Sequence, residues 1–99
     1  MIMDPAAINA QREADDEILY YVREVQNTAP VVSESVMRYL THTRRRKITD
    51  QAVELRLDYL VDSGLLKSSR DWQSGKGYET FYEITAKGSD VLDGVIPRD

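Results

Sequence analysis

The spacing of apolar residues changes at Gly64, and this change constrains the fold more than any other feature of the sequence. Before Gly64 the apolar residues recur with helical spacing. After it come two extended stretches rich in aromatic and β-branched residues, "LLKSSRDW" and "YETFYEIT", separated by "QSGKG". Two such stretches joined by a short glycine-containing segment are typical of a β-hairpin. The sequence therefore predicts a hairpin that follows a helical region.

The first helical segment begins at "DPAA", where Asp4 suits an N-cap and Pro5 the first helical position. No helix breaker follows until "NTAP" at 27–30. The pattern predicts one long helix or two abutting helices. The apolar stripe within 18–25 is expected to face the core.

Two shorter helices are expected before Gly64. The first is "SESVMRYLTH", which Ser33 or Ser35 could cap. The second begins after a cap at Thr49 and ends at Gly64, a residue suited to the end of a helix. The predicted core residues of these helices are Val36, Met37, Leu40, Val53, Leu57, Leu60 and Val61.

The order of elements is helix, helix, helix, hairpin and a short final helix in "AKGSDVLDG". The apolar side of the hairpin must pack back on the helices, so the fold class is α+β with a small antiparallel sheet. The chain's 99 residues suit one domain. We expect an N-terminal helical extension at 1–14, the domain at 15–93 and a frayed tail at 94–99.

Charge is unevenly distributed along the chain. The formal net charge is −4, which argues against nucleic acid. Residues 35–87, however, hold ten bases and seven acids, whereas residues 1–34 hold seven acids and two bases. The distribution matters more than the sum, so a local basic face is compatible with the sequence.

Several function classes are not expected. The chain has no cysteine, hence no disulfide and no thiolate zinc site. No apolar run approaches the roughly 20 residues that span a bilayer, and the acidic N-terminus does not resemble a secretory signal. The one histidine, His42, is accompanied by no nucleophile, phosphate cradle or metal-ligand spacing. We expect a cytoplasmic protein that is not an enzyme, with no catalytic residue, metal, cofactor or membrane partner.

Two stretches carry a resemblance to a known fold family. In "VELRLDYLVDSGLLKSS" apolar positions at fixed offsets precede a glycine and the start of a strand, and in "GYETFYEITAKGSDVLD" a strand ends before a closing helix. Both are similar to the third helix, wing and following helix of MarR-like and PadR-like transcriptional regulators. The resemblance covers roughly residues 15–93 and implies a winged helix-turn-helix domain.

The resemblance also implies a function, that of a small regulator of transcription that binds double-stranded DNA, acting as a homodimer. In such regulators the third helix enters the major groove and the wing touches the backbone or the minor groove. The implied base-reading positions are Thr49, Gln51, Leu55, Asp58 and Tyr59. The implied wing contacts are Arg70, Lys76 and Tyr78, with Gln73 and Ser74 as neutral hydrogen-bond partners.

The basic run Arg44, Arg45, Arg46 and Lys47 stands directly before the third helix. Arginine forks match phosphate oxygens, and each neutralised phosphate adds a salt-dependent increment to affinity. A charge run is more commonly a solvated turn. Because these four bases stand together in a chain that is otherwise acidic, we favour contact with phosphates over a merely solvated turn.

The acidic residues of the third helix favour an alternative to DNA binding. Glu54, Asp58 and Asp62 recur every four residues and would repel phosphates, which puts base readout by Gln51 and Leu55 in doubt. Leu55 and Tyr59 lie one turn apart and are expected to face outward. The alternative function is therefore a winged-helix module that binds a protein through Leu55 and Tyr59 rather than DNA.

Two further segments have open interpretations. In the wing, basic and aromatic residues interleave, although Trp72 and Tyr78 are expected to pair across the strands. The cluster "EADDE" at 13–17 is interpreted as an acidic, solvated stretch rather than a metal site. In the N-terminal extension, Ile8 and the alanines are candidates for contact with a second subunit, as in related regulators.

Overall fold

The computed structural model describes residues 5–97, and it describes side chains from residue 10 onward. The elements are α1 (Pro5–Val25), α2 (Ser33–Arg38), a π-helical turn (Tyr39–Thr43), α3 (Asp50–Asp62), β1 (Leu66–Gln73), β2 (Gly77–Ile84) and α4 (Ala86–Leu92). This order confirms the α+β class and the predicted succession of elements. α1 is one continuous helix, whereas the predicted cap at Asp4 lies outside the described residues.

The core lies where α1, α2, α3 and the base of the hairpin meet. α1 contributes Ile18, Leu19 and Val22, all fully buried, which confirms the predicted stripe. The core face predicted for α3 is also confirmed, since Val53, Leu57 and Leu60 are fully buried and Val61 packs against them. Burying each such side chain contributes about 1.5–3 kcal/mol relative to leaving it in water.

The start of α2 differs from the prediction. Its N-cap is Val32, and neither Ser33 nor Ser35 occupies that position. The Ser35 hydroxyl accepts a hydrogen bond from the Val32 N–H (3.0 Å) and donates one to the Val32 carbonyl (2.8 Å). Ser35, at the third position of the helix, thus supplies the half of a capping box that reaches back to the backbone N–H of the N-cap residue.

A π-helical turn extends α2 to Thr43 and leads directly into the basic run. The Arg44 N–H donates to the Tyr39 carbonyl over 3.1 Å, and the Arg46 N–H donates to the Leu40 carbonyl over 2.9 Å. The Tyr39 ring stacks on Tyr21 of α1, with centroids 4.6 Å apart. These contacts fix the path of the chain between α2 and α3.

The hairpin has the predicted form. β1 and β2 are antiparallel and in register from Leu66 opposite Ile84 to Gln73 opposite Gly77. Gly75 and Gly77 both have φ +79°, a conformation that glycine adopts without steric cost, and they allow the short turn at 74–76. The Tyr82 N–H donates to the Val31 carbonyl over 2.9 Å, which anchors β2 to the segment between α1 and α2.

The closing helix α4 packs tightly on the start of the hairpin. Thr85 caps it by accepting a hydrogen bond from the Gly88 N–H over 2.9 Å. A Cβ at Gly88 would lie 2.0 Å from the Leu65 carbonyl oxygen, so only glycine permits this approach. Arg23 of α1 forms a 2.8 Å ion pair with Asp93, which joins the first and last helices. None of the helices within residues 5–97 has the length and apolar character needed to cross a membrane.

Candidate nucleic-acid interface

The outer face of α3 begins at a well-formed N-terminus. The Thr49 hydroxyl accepts a hydrogen bond from the Ala52 N–H over 3.1 Å, which confirms the predicted cap. Gln51 follows it and is exposed, and Leu55 is 61% exposed one turn further along. The predicted base-reading side chains Gln51 and Leu55 therefore both face solvent, whereas the hydroxyl of Thr49 is engaged within the helix.

The same face carries acidic side chains. Glu54, Asp58 and Asp62 are all exposed, as the sequence predicted. Glu54 and Asp58 also lie near the buried Tyr82 of β2, where desolvation, with smaller contributions from these two charges, raises the pKa of the phenol. The negative potential of the middle of α3 therefore extends toward the base of the hairpin.

The basic run is divided by a carboxylate of α1. Glu17 accepts two hydrogen bonds from Arg46, at 2.6 Å from Nε and 2.9 Å from Nη2, and a third from Arg44 Nη2 at 3.0 Å. The side chains of Glu17 and Arg46 are only 14% and 23% exposed. Arg44 and Arg46 thus tie the turn to α1. Glu17, together with Glu13 at 3.6 Å from Arg46, offsets much of their charge, and the Arg44 side chain is 48% exposed.

Electrostatics favour the charged form of this cluster. The hydrogen bond from Arg46 is the largest influence on Glu17 and, with that from Arg44, holds its pKa below the ordinary value of 4.5 even though burial opposes the shift. The same hydrogen bonds raise the pKa values of both arginines. The three groups are therefore all charged at neutral pH.

Arg45 and Lys47 alternate with the two bound arginines and point outward. Both are exposed, and neither forms an ion pair with any acid in the described part of the chain. Arg45 has φ +57°, a left-handed conformation that costs a non-glycine residue about 1 kcal/mol or more. Its backbone is held there by the contacts on either side, so two cations lie free beside the N-terminus of α3.

A second ion pair fixes α3 itself. Asp15 of α1 is 3% exposed, and Arg56 of α3 donates to it through Nε at 2.9 Å and also through Nη2. The Arg56 guanidinium then lies 4.5 Å from the centre of the Tyr59 ring. One face of Tyr59 is therefore covered, and the exposed apolar patch expected from Leu55 and Tyr59 is smaller than the sequence suggested.

The acidic stretch at 13–17 is solvated only in part, because Glu13 and Asp16 are exposed whereas Asp15 and Glu17 are not. Asp15 and Glu17 instead form the ion pairs that position α3 and the basic run. The sequence carried a signal for Asp15, because it stands three, four and seven residues before the buried Ile18, Leu19 and Val22. A carboxylate on the apolar face of a helix requires a buried partner. Among the described residues, no group of three or more His, Cys, Asp or Glu is placed to hold a metal ion.

The wing places its predicted residues near the tip. Trp72 and Tyr78 are directly opposite each other, with ring centroids 5.3 Å apart in an edge-to-face arrangement, which confirms the expected pair. The Arg70 guanidinium lies 5.6 Å from the centre of the Tyr78 ring. Lys76 is exposed in the turn. Arg70, Lys76 and Tyr78 thus lie together on the outer half of the hairpin.

The N-terminal extension is only partly described. Of the residues predicted to contact a second subunit, Ile8 and the alanines at 6 and 7 lie outside the residues whose side chains are described, whereas Ala10 and Ala14 lie within them. Ala10, Gln11 and Ala14 line a cavity together with residues 44–48. This part of α1 therefore packs beside the basic run of its own chain. His42 is exposed in the π-helical turn.

No protein-family model matches the sequence, and no curated protein matches it. Solved structures do match the fold. A PadR-like transcription factor from Bacteroides fragilis aligns with a TM-score of 0.75 and 14% identity over 91% of this chain and 82% of that chain. A PadR family transcriptional regulator from Eggerthella lenta aligns with a TM-score of 0.70 and 22% identity over 91% of this chain and 75% of that chain. A PadR family transcription regulator from Clostridium difficile aligns with a TM-score of 0.65 and 20% identity over 81% of this chain and 79% of that chain.

The likeness to these structures confirms the winged helix-turn-helix fold predicted from the sequence. Because the identities are low, the likeness shows the fold, and function must be argued from the site. The PadR-like part of the predicted resemblance is supported. The MarR-like part gains no support from these structures.

The ion pair between Asp15 and Arg56 yields a test of stability. Arg56→Met leaves Asp15 buried without a partner, so we expect the free energy of unfolding in urea at neutral pH to fall by about 3 kcal/mol. The double variant Asp15→Leu with Arg56→Met removes both charges and should recover most of that loss.

The control is Arg38→Met, which breaks an ion pair whose side chains are 68% and 76% exposed. It should cost about 0.5 kcal/mol or less. Equal losses for Arg56→Met and Arg38→Met would contradict the structural role of Arg56.

Glu17 yields a test by pH. Its pKa is lower in the fold than in the unfolded chain, so its ion pairs stabilise the protein above its ordinary pKa of 4.5 and this contribution is lost as the pH falls through the lowered value. We expect wild type to exceed Glu17→Gln in unfolding free energy by roughly 1–3 kcal/mol near pH 7. The difference should shrink steadily below about pH 4.5. A difference that is constant from neutral to acidic pH would contradict the assignment.

Proposed function

We propose that this protein is a small DNA-binding regulator of transcription that docks on duplex DNA through the basic turn, the N-terminal part of α3 and the wing. One observation carries the proposal most directly. Arg45 and Lys47 are exposed beside the start of α3 and have no acidic partner among the described residues, although the chain as a whole is acidic. The winged-helix fold supports it by analogy.

In this proposal the four cations of the run have two roles. Arg45 and Lys47 contact phosphates, where each neutralised charge releases counterions and so strengthens binding at low salt. Arg44 and Arg46 are positioning residues, because their hydrogen bonds to Glu17 hold the turn in place. The positive end of the α3 dipole adds to the attraction for a phosphate at the same end of the helix.

Base readout is limited to the first turns of α3. Gln51 can pair with the edge of an adenine, and Leu55 can contact a thymine methyl group. Thr49 lies at the same end and contributes through its backbone and methyl group, since its hydroxyl caps the helix. Glu54 and Asp58 disfavour deeper entry of the helix because they would approach phosphates on the walls of the groove.

The wing supplies the remaining contacts. Arg70 and Lys76 are exposed cations near its tip, and Tyr78 carries a hydroxyl that can donate to a phosphate. A homodimer formed through the N-terminal helix would place two such surfaces on neighbouring half-sites and raise the affinity of a small domain. Such a regulator would act in the cytoplasm, where it meets DNA.

The alternative function is binding of a protein partner through Leu55 and Tyr59. It is favoured by the exposure of these side chains, 61% and 48%. It is weakened by Arg56, which covers one face of the Tyr59 ring and leaves little contiguous apolar surface. We therefore rank it below DNA binding.

The division of the basic run gives a test of the proposed function. The double variant Arg45→Ala with Lys47→Ala should lose about tenfold or more in affinity for pooled random duplexes at low salt, measured by fluorescence anisotropy. The slope of log affinity against log salt should fall by about one per side chain removed. The matched control is Arg44→Ala, which removes a neighbouring cation that is bound to Glu17 and should change the salt slope much less.

Two results would contradict the proposal. If Arg44→Ala reduces the salt slope as much as the loss of Arg45 and Lys47, the division of roles is wrong. If the folded wild-type protein binds no duplex even at low salt, the DNA-binding function is wrong. A partner pull-down with Leu55→Ala as the disrupting variant would then test the alternative.

A further inference from the structure

The two faces of the wing differ in charge. In an antiparallel pair, side chains directly opposite each other lie on the same face, and successive residues alternate between faces. One face carries Lys67, Ser69, Asp71, Gln73, Glu79, Phe81 and Glu83, so it holds three acids and one base. The other face, here called the inner face, carries Leu66, Ser68, Arg70, Trp72, Tyr78, Thr80, Tyr82 and Ile84. Its only charged residue is Arg70.

The exposure of the inner face to solvent increases from its base to its tip. At its base Leu66 and Tyr82 are buried against the helices, at 2% and 7% exposure. At its tip Trp72 and Tyr78 are 61% and 65% exposed. Trp72 lies six positions beyond Leu66 along β1, a span of roughly 20 Å. The tip therefore extends well beyond the core, with two large aromatic side chains on the same face of the hairpin as Leu66 and Tyr82.

Pairing across the strands explains only part of this arrangement. The edge-to-face contact of Trp72 and Tyr78 braces the tip and contributes about 0.5–1.5 kcal/mol beyond the area it buries. It leaves most of both rings in water. The Arg70 guanidinium lies over the Tyr78 ring, so a cation and two ring surfaces form one continuous patch. A patch of this kind fits a ligand that is both negatively charged and able to pack against aromatic rings.

We propose that the rings of Trp72 and Tyr78, beside Arg70 on the inner face of the wing tip, pack against a deformable base step when the wing contacts the minor groove of bound DNA, a contact that the winged-helix resemblance already implies. This inference rests on the proposed DNA-binding function and identifies the part of the DNA that the wing selects. Large side chains inserted from the minor groove partly unstack neighbouring base pairs. Pyrimidine–purine steps unstack most readily, whereas A-tracts are stiff. The wing therefore adds preference for deformable sites without hydrogen bonds to base edges.

The charges of the wing support this orientation. Arg70 lies on the inner face beside the rings, where its guanidinium can meet the phosphates that border the minor groove. The acids Asp71 and Glu79 lie on the opposite face, directed away from the DNA in this orientation. Lys76 in the turn at the tip is placed to meet a phosphate at the edge of the groove. A protein partner would find a patch of only two rings, which is small for a stable interface.

Trp72 makes the proposal directly testable, because it is the only tryptophan of the chain. The full chain is titrated with two duplexes of equal length, one containing central TpA steps and one containing an A-tract, and binding is followed by anisotropy of the labelled DNA. Quenching of Trp72 emission by acrylamide is measured free and at saturation. We expect DNA to reduce the quenching constant by about twofold or more and the TpA duplex to bind about threefold more tightly than the A-tract duplex.

Two variants test whether the preference for the TpA duplex depends on the wing tip or on any exposed aromatic residue of the protein. Tyr78→Ala removes one ring of the patch and should abolish the preference for the TpA duplex. Tyr20→Ala is the matched control, because Tyr20 lies on α1 at 48% exposure, away from the wing. It should retain the preference. The quenching measurement uses the wild-type protein, so the test does not depend on whether Tyr78→Ala keeps the wing folded.

The outcomes distinguish three claims, namely DNA binding, insertion of the wing and selection of deformable steps. Duplex binding without protection of Trp72 would overturn the insertion of the wing while leaving DNA binding intact. Protection of Trp72 with equal affinity for both duplexes would overturn the selection of deformable steps. Absence of any anisotropy change would overturn DNA binding itself, and the role of the wing with it.

Discussion

The arrangement of the candidate interface depends on the carboxylates of α1. Glu17 binds Arg44 and Arg46, and Asp15 binds Arg56, so two acids only two positions apart on one helix hold both the basic turn and α3. These ion pairs are only partly exposed to water. Opposite charges in such partly buried places interact more strongly than at an open surface. Without them the turn would carry four mutually repelling cations. With them it presents two, at a fixed place beside the helix N-terminus.

This constraint explains the unusual backbone at the centre of the run. Arg44 and Arg46 both reach the same carboxylate, and the residue between them is left-handed. The Arg46 N–H is also bound to the Leu40 carbonyl at the end of the π-helical turn. A strained backbone conformation persists where several surrounding contacts hold it in place, and such residues cluster at functional sites. The cost at Arg45 is offset by the ion pairs on either side, and the result is an outward-facing cation.

The sequence predicted the fold well because the fold depends on local patterns. The helical stripe from Ile18 to Val25, the Thr49 cap and the turn at Gly75 each depend on nearby residues, and all are present in the structure. The site was less predictable because its main contacts join distant segments. Glu17 and Arg46 are 29 positions apart, and nothing in the run itself shows which cations are bound. The capping of α2 was missed because Ser35 acts from inside the helix.

Glu17 holds two arginines of the run, and we propose that Arg45 is thereby left to contact DNA. Nuclear magnetic resonance of the arginine Nε–H groups measures this directly, with assignments from single Arg→Lys variants. We expect the Arg46 signal to exchange slowly with water in the free protein and to remain nearly unchanged when duplex DNA is added. The Arg45 signal should exchange rapidly in the free protein and become protected in the complex. An Arg46 that loses its protection or shifts strongly on DNA binding, with Arg45 unaffected, would contradict the account.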